Sequence, residues 1–264
     1  MNLQGDSRPL TDTVAELRAA GCVFAEREAE LLLAAAPTDA ELREMTRRRV
    51  DGLPLEVVLG WAEFLGTRYV VEPGVFVPRR RSEFLARQAI SLVRPGAVVV
   101  ELCCGSAAIT AAVAGAAERI EPHACDIDSN CVRCARRNLA ELGGTVHRGD
   151  LYEALPEELR GRVELLVANA PYVPTDAIAS MPPEAREHEP RVALDGGADG
   201  LDVQRRIAAG APRWLSPGGH LLLETGEWQA DRSVAVCAEH GLRARVARSE
   251  EDDATVVVAT PSRS

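Results

Sequence analysis

Asn169, Ala170, Pro171 and Tyr172 stand together where the apolar run Val163-Glu164-Leu165-Leu166-Val167-Ala168 stops. An amide, two backbone carbonyls and an aromatic ring at the carboxyl end of a strand can hold a planar NH2-bearing group, by hydrogen bonds in its plane and stacking on its face. In an open α/β sheet that edge is where ligands sit. The chemistry the set suits best is methyl transfer to an amide or exocyclic amino nitrogen. Alone the tetrapeptide is a weak signal, because Asn and Pro also end strands simply by turning the chain. A methyl-donor site has to accompany it.

Val98-Val99-Val100-Glu101-Leu102 reads as a buried strand that runs through Cys103-Cys104-Gly105-Ser106-Ala107 into an Ala-rich helix. Such a turn presents free backbone N–H groups at a helix start. About 20 positions later, at the end of the next apolar strand, comes Asp126, where a carboxylate can accept both hydroxyls of a ribose. A nucleotide-type ligand fits this pattern. A dinucleotide fits less well, because positions 103 and 107 lack the glycines that let a backbone approach a pyrophosphate.

These segments need a scaffold. Residues 11–50 have a helical pattern, with Thr13 and Glu16, then Thr38 and Glu41, spaced as capping boxes. Between Gly52 and Pro78 the β-branched runs Tyr69–Val71 and Val75–Val77 predict a hairpin-like connector. After a helix over 82–93, strand and helix patterns alternate: strands at 98–102, 119–125, 145–147, 163–168 and 220–224, helices from Ser106, Asp128 and Leu201. Leu242–Arg248 and Thr255–Ala259 flank an acidic turn and predict a final hairpin. The expected fold is α/β: a mostly parallel sheet with a terminal antiparallel hairpin, preceded by a small helical domain. The expected divisions are 1–51, 52–81 and 82–264.

The 264 residues, 46% of them hydrophobic, can bury a full core. A formal charge of -10 opposes non-specific attraction to nucleic acid. No apolar run reaches the roughly 18 residues of a membrane span, and residues 1–10 lack a basic region followed by an apolar one, so the expected location is the cytoplasm and no membrane partner is expected. Seven cysteines read as reduced thiols. Cys131 and Cys134 have a zinc-like spacing, but within a predicted helix they mark one buried face, and no metal is expected. His188, between Glu187 and Glu189, falls in an expected solvated loop after Met181-Pro182-Pro183, long enough to cover the site. Arg47–Arg49 and Arg79–Arg81 read as solvated faces, with substrate docking as the alternative.

With these residues in place, the chain resembles the protein-(glutamine) N5-methyltransferases of the release-factor type, a branch of the class I, Rossmann-like S-adenosylmethionine-dependent methyltransferases. The resemblance spans nearly the whole length. It rests on Phe76-Val77-Pro78-Arg79, on the donor loop from Glu101 to Ala107, on Asp126, on Asp150-Leu151, on Asn169 to Tyr172 in place of Asn-Pro-Pro-Tyr, and on the blocks Glu189–Gly197 and Gly218–Gln229. It implies S-adenosylmethionine as methyl donor, held by Glu101, Cys103, Gly105, Ser106, Ala107, Asp126, Ile127, Asp150, Leu151 and Asn169. Asn169, Ala170, Pro171 and Tyr172 would be catalytic, and Phe76, Pro78, Arg79, Asn169 and Tyr172 would meet the substrate. The implied partner is a protein carrying a glutamine, a peptide-chain release factor or another translation protein. The chain departs from the family pattern at Cys103, Ala107 and Ala170, and Arg80-Arg81 makes the connector more basic than usual. Two alternatives stand beside this reading: an amino-methyltransferase acting on adenine in DNA or RNA, and a donor-binding protein with impaired catalysis.

Overall fold

The computed structural model describes residues 7–262. Helices α1 (Ser7–Ala19), α2 (Ala25–Ala35), α3 (Asp39–Val50) and the short α4 (Leu55–Leu59) come first. They close around Leu17, Ala25, Ala29, Leu32, Leu42 and Val58. Thr38 caps α3 as the spacing predicts: its Oγ1 accepts from the Glu41 N–H at 3.2 Å and donates to the Glu41 carboxylate at 2.8 Å. The Thr13–Glu16 pair caps nothing. Helix α1 is already running at Ser7, with Pro9 in the first turn where its missing N–H costs no bond, and Thr13 lies on the buried face.

A hairpin forms within residues 61–70, with Tyr69 and Val70 of the first β-branched run in its second strand, but the second run takes no part in it. Strands β1 (Trp61–Phe64) and β2 (Thr67–Val70) pair antiparallel around Leu65-Gly66, both at positive φ (50° and 74°). Val75–Val77 forms no strand. Val75 and Val77 are apolar because each is 2% exposed, Val77 against Ala62 and Val71, Val75 against Cys131 and Cys134.

The remainder alternates as α5 (Ser82–Leu92), β3 (Val98–Leu102), α6 (Ala108–Ala116), β4 (Glu121–Asp126), α7 (Ser129–Leu139), β5 (Thr145–Arg148), β6 (Val163–Ala168), α8 (Pro183–His188), α9 (Arg191–Leu194), α10 (Asp202–Trp214), β7 (Leu215–Thr225), α11 (Ala230–Glu239), β8 (Leu242–Ser249) and β9 (Ala254–Pro261). The sheet order is β5-β4-β3-β6-β7-β9-β8, parallel from β5 to β7, with β9 antiparallel to both neighbours. Strand β3 is Val-rich and wholly buried because helices cover both faces. Side chains alternate accordingly: Val99, Leu165 and Val167 face α5, α6 and α7, while Val100, Leu166 and Leu223 face α10 and α11. Helix α11 and the 215–219 half of β7 have no counterpart in the sequence expectation. The expected loop around His188 is helical instead, started by Pro183 at its first position.

Helix α10 carries Gly210 beneath the ring of Tyr152, which stacks on Trp214 at 5.7 Å and donates from its hydroxyl to the Ile207 carbonyl at 2.6 Å. Glycine inside a helix ordinarily costs about 0.5–1 kcal/mol relative to alanine. Here a methyl at 210 would lie inside the Tyr152 ring's envelope. Gly210→Ala is therefore expected to destabilise by about 1–3 kcal/mol, against its helix propensity, in urea unfolding followed by circular dichroism. A stabilised variant would mean that Tyr152 moves aside freely.

Candidate active site

The register of the parallel strands sets the site. Leu102 pairs with Cys125 on one side and Ala168 on the other, and Ala168 pairs with Leu223. The next residue of each strand, Cys103, Asp126, Asn169 and Glu224, therefore reaches the same edge. A cleft of about 220 Å3 opens there. One end is lined by Cys103, Gly105, Asp126, Ile127, Asp150 and Leu151, the other by Asn169, Ala170, Pro171, Tyr172, Arg79 and Phe76. Residues that the sequence suggested for two different tasks thus share one continuous space.

Asp126 is tied to the loop it faces. Its Oδ2 accepts from the Gly105 N–H and its Oδ1 from the Asp128 N–H, both at 2.9 Å. Burial pushes its pKa up, and those backbone donors oppose the shift. Cys103, Gly105 and Ala107 all have left-handed φ, at 54°, 53° and 58°. Two of these three are not glycine, so the loop holds strain of the order of 1–2 kcal/mol per residue. Ala107 is fully buried and lines neither this cleft nor a smaller one beside it, so any part it has in ligand binding runs through its backbone. Ser106, Glu101 and Pro78 line only the smaller cleft. Glu101 Oε2 there accepts from Thr110 N–H at 2.8 Å and Thr110 Oγ1 at 2.5 Å, which pins the start of α6. Asp150 accepts from Arg206 at 2.7 Å, and Ile127 is 52% exposed.

At the other end Asn169 Nδ2 donates to Ser82 Oγ at 3.1 Å. The Tyr172 hydroxyl donates to Glu224 Oε1 at 3.4 Å, and the Arg81 guanidinium lies 5.7 Å from the Tyr172 ring centre and 3.7 Å from Glu224. Arg79 pairs with the buried Glu189. Arg79 and Arg81 both line the cleft; the solvated-face reading fails for Arg79, while Arg80 and Arg81 remain exposed, the Arg81 side chain at 47%. That reading fails also for Arg49, which pairs with Glu28 at 2.6 Å with both side chains 11% exposed. His188 packs over Gly52, and its neighbour Glu189 faces the cleft. Cys131 and Cys134 sit buried in α7, Cys134 donating to the Val70 carbonyl at 3.2 Å. Burial raises their thiols, Cys134 to about 11 and Cys125 to about 12, and among the described residues no cluster of three metal-type ligands occurs. Ser82, Glu189, Arg206 and Glu224 had no assigned role in the sequence reading. Of these Glu224 was findable, since it closes an apolar strand as Asp126 does.

Residues 68–182 match the family described as Methyltransferase small domain. The chain is 36% identical over 204 residues to a release factor glutamine methyltransferase of Geobacter sulfurreducens, covering 76% of this chain and 71% of that one. This protein belongs to the release factor glutamine methyltransferase family. It is also 36% identical over 220 residues to a 4-amino-L-phenylalanine/4-methylamino-L-phenylalanine methyltransferase of Streptomyces pristinaespiralis, covering 81% and 74% of the two chains. The fold is that of the class I methyltransferases, as in a methyltransferase of Pyrococcus furiosus, with a TM-score of 0.58 at 16% identity over 75% of this chain and 91% of the other. Among the described residues no helix is long and apolar enough to cross a membrane.

Two expectations follow from the residues at this sheet edge. Asp126→Ala should weaken S-adenosylhomocysteine binding by at least about 1.5 kcal/mol in calorimetry, through lost charge-assisted bonds and a released Gly105 N–H; unchanged affinity with an intact fold would remove Asp126 from the site. Glu101 is raised by burial from 4.5 to about 7, against the opposing Thr110 bonds. A raised acid favours folding when protonated, so its contribution is complete below 4.5 and is lost as pH rises through 7. Glu101→Gln should flatten the fall in stability across that interval in denaturant melts. An unaltered slope would place Glu101 outside the set of groups that titrate on folding.

Proposed function

We propose that this protein transfers a methyl group from S-adenosylmethionine to the side-chain amide nitrogen of a glutamine in a peptide-chain release factor. The carrying observation is the single cleft that joins the Gly105–Asp126 end to the Asn169–Tyr172 end. The residues suit the donor: an Asp126 carboxylate fixed at the cleft wall for ribose hydroxyls, Ile127 and Leu151 for an apolar base, and the Gly105 loop for the amino-acid part. When bound, S-adenosylmethionine supplies an electrophilic sulfonium methyl. A carboxamide nitrogen is a poor nucleophile because its lone pair is delocalised, so the protein contributes mainly orientation. The Asn169 amide oxygen and the Ala170 carbonyl accept from the acceptor NH2, and Tyr172 packs on the face of the amide. These bonds strengthen as positive charge grows on nitrogen, which favours the transition state over the bound acceptor. A proton then leaves to water, and no strong base is required. The helices before residue 52 and the connector to residue 81 form the surface that docks the substrate protein, with 82–264 as the methyl-transfer domain. An acidic protein of this kind works in the cytoplasm without direct nucleic-acid binding.

A second acceptor is favoured by one observation: the aminophenylalanine methyltransferase is as similar in identity as the Geobacter glutamine enzyme. An aromatic NH2 presents the same donors in a plane, and Arg81 at the cleft suits a free carboxylate. A tritiated-donor assay against purified release factor, 4-aminophenylalanine and total RNA separates the readings. Labelled release factor is expected; label on the free amino acid alone would move the acceptor to the aryl amine. In the same assay Asn169→Ala should keep donor affinity within about threefold and cut turnover about a hundredfold, the usual loss for one preorganised hydrogen bond. Near-native turnover would leave Asn169 as a strand terminator only.

A further inference from the structure

Asn169 can serve an NH2 acceptor only with its amide the right way round. With Oδ1 toward the cleft it accepts from the incoming nitrogen; turned over, it sets two N–H donors against a group that also donates. The observed bond from Nδ2 to Ser82 Oγ leaves Oδ1 for the cleft. Ser82, 2% exposed at the start of α5, accepts that bond and must send its own proton elsewhere. Asn169 and Glu224 follow the paired residues Ala168 and Leu223, so Ser82, bonded to Asn169, stands beside the Glu224 carboxylate, whose charged form its hydroxyl favours. Glu224 is itself 2% exposed; Oε1 accepts from Tyr172, and Oε2, fully enclosed, has no hydrogen-bond partner.

We propose that Glu224 is a positioning residue: acting through Ser82 it fixes the Asn169 amide with Oδ1 toward the acceptor, and acting directly it holds Tyr172 beside it. The inference rests on the reading that Asn169 meets the acceptor, and it adds what sets its orientation. An ionised carboxylate only accepts, so Ser82 donates to it and Asn169 Nδ2 donates to Ser82. A protonated Glu224 reverses the chain. Its O–H donates to Ser82, Ser82 donates to Asn169 Oδ1, and the amide turns its N–H groups to the cleft. Burial pushes Glu224 up, so the reversal comes nearer neutral pH than it would for an exposed glutamate. The charged and titratable groups that face it across the adjoining cleft are Arg81, Tyr172, Glu227, Arg248, Glu250 and Asp253. Arg81 and the Tyr172 hydroxyl reach it, and both favour the ionised form.

The test uses the full chain with S-adenosylmethionine and release factor. Ser82→Ala should lower kcat at least about tenfold with KM for the donor within about threefold, Ser82→Thr should retain turnover by keeping the hydroxyl, and Ser82→Ala should cost nothing further in an Asn169→Ala background. The acid limb of kcat should be present in the native enzyme and absent in Glu224→Gln, because activity is lost as pH falls through the raised Glu224 value. A second readout needs no acceptor: the side-chain 15N amide resonance of Asn169, identified by its absence in Asn169→Ala, should move with pH in the native protein and stay fixed in Glu224→Gln. If no acceptor is methylated, this resonance still decides the relay, so the failure of the acceptor reading and the failure of the relay are told apart. Additive losses for Ser82→Ala and Asn169→Ala, or a native amide resonance indifferent to pH, would overturn the proposal.

Discussion

The hydrogen-bonded ladder of β3 between β4 and β6 is the constraint on which the site depends. One row, Cys125, Leu102, Ala168 and Leu223, crosses four parallel strands, and the residue after each of them stands at the carboxyl edge. A slip of one residue in any of these strands would exchange its buried and opposite faces and turn Asp126, Asn169 or Glu224 away. The register is held because both faces are apolar and covered. Its two clusters, one under α5, α6 and α7 and the other under α10 and α11, leave no alternative pairing that keeps Val99, Leu165 and Val167 on one side.

The Gly105–Asp126 end of the cleft was legible because it is local. A Val-rich strand, a turn with one glycine and a carboxylate at the next strand end all lie within residues 98–126, and period-two burial with a tight turn is written directly in residue types. The polarity of that loop was also readable, but its strain was not: Cys103 and Ala107 at positive φ follow from the fold's demand at those positions, not from their own preferences. The hairpin shows the converse. Val75–Val77 has strand composition without strand pairing, because burial against Ala62, Val71 and α7 also selects β-branched residues.

The Asn169–Tyr172 end of the cleft was legible in its tetrapeptide and in Phe76 and Arg79, which also line it. Its other parts come from far along the chain: Ser82 meets Asn169 across 87 positions, Arg79 meets Glu189 across 110, and Tyr172 meets Glu224 across 52. No local pattern encodes such pairs. The arginine run after Pro78 reads as solvated charge, and Arg80 and Arg81 are exposed, but the sheet edge also presents two buried carboxylates, which Arg79 and Arg81 reach.

That difference in assembly bears on how the two ends can change. Asp126, Gly105 and Asp128 are joined by backbone N–H bonds, which any residue but proline can supply, and the loop keeps this geometry with Cys103 and Ala107 in it. The Asn169–Tyr172 end is joined also by side-chain pairs, from Arg79 and Arg81 to Glu189 and Glu224 and from Ser82 to Asn169. Each such tie can be exchanged by one or two substitutions without disturbing the sheet. Two relatives, each 36% identical to this chain but named for different methyl acceptors, accord with that arrangement: one end of the cleft tied by backbone N–H groups, the other tied in part by separable side-chain pairs.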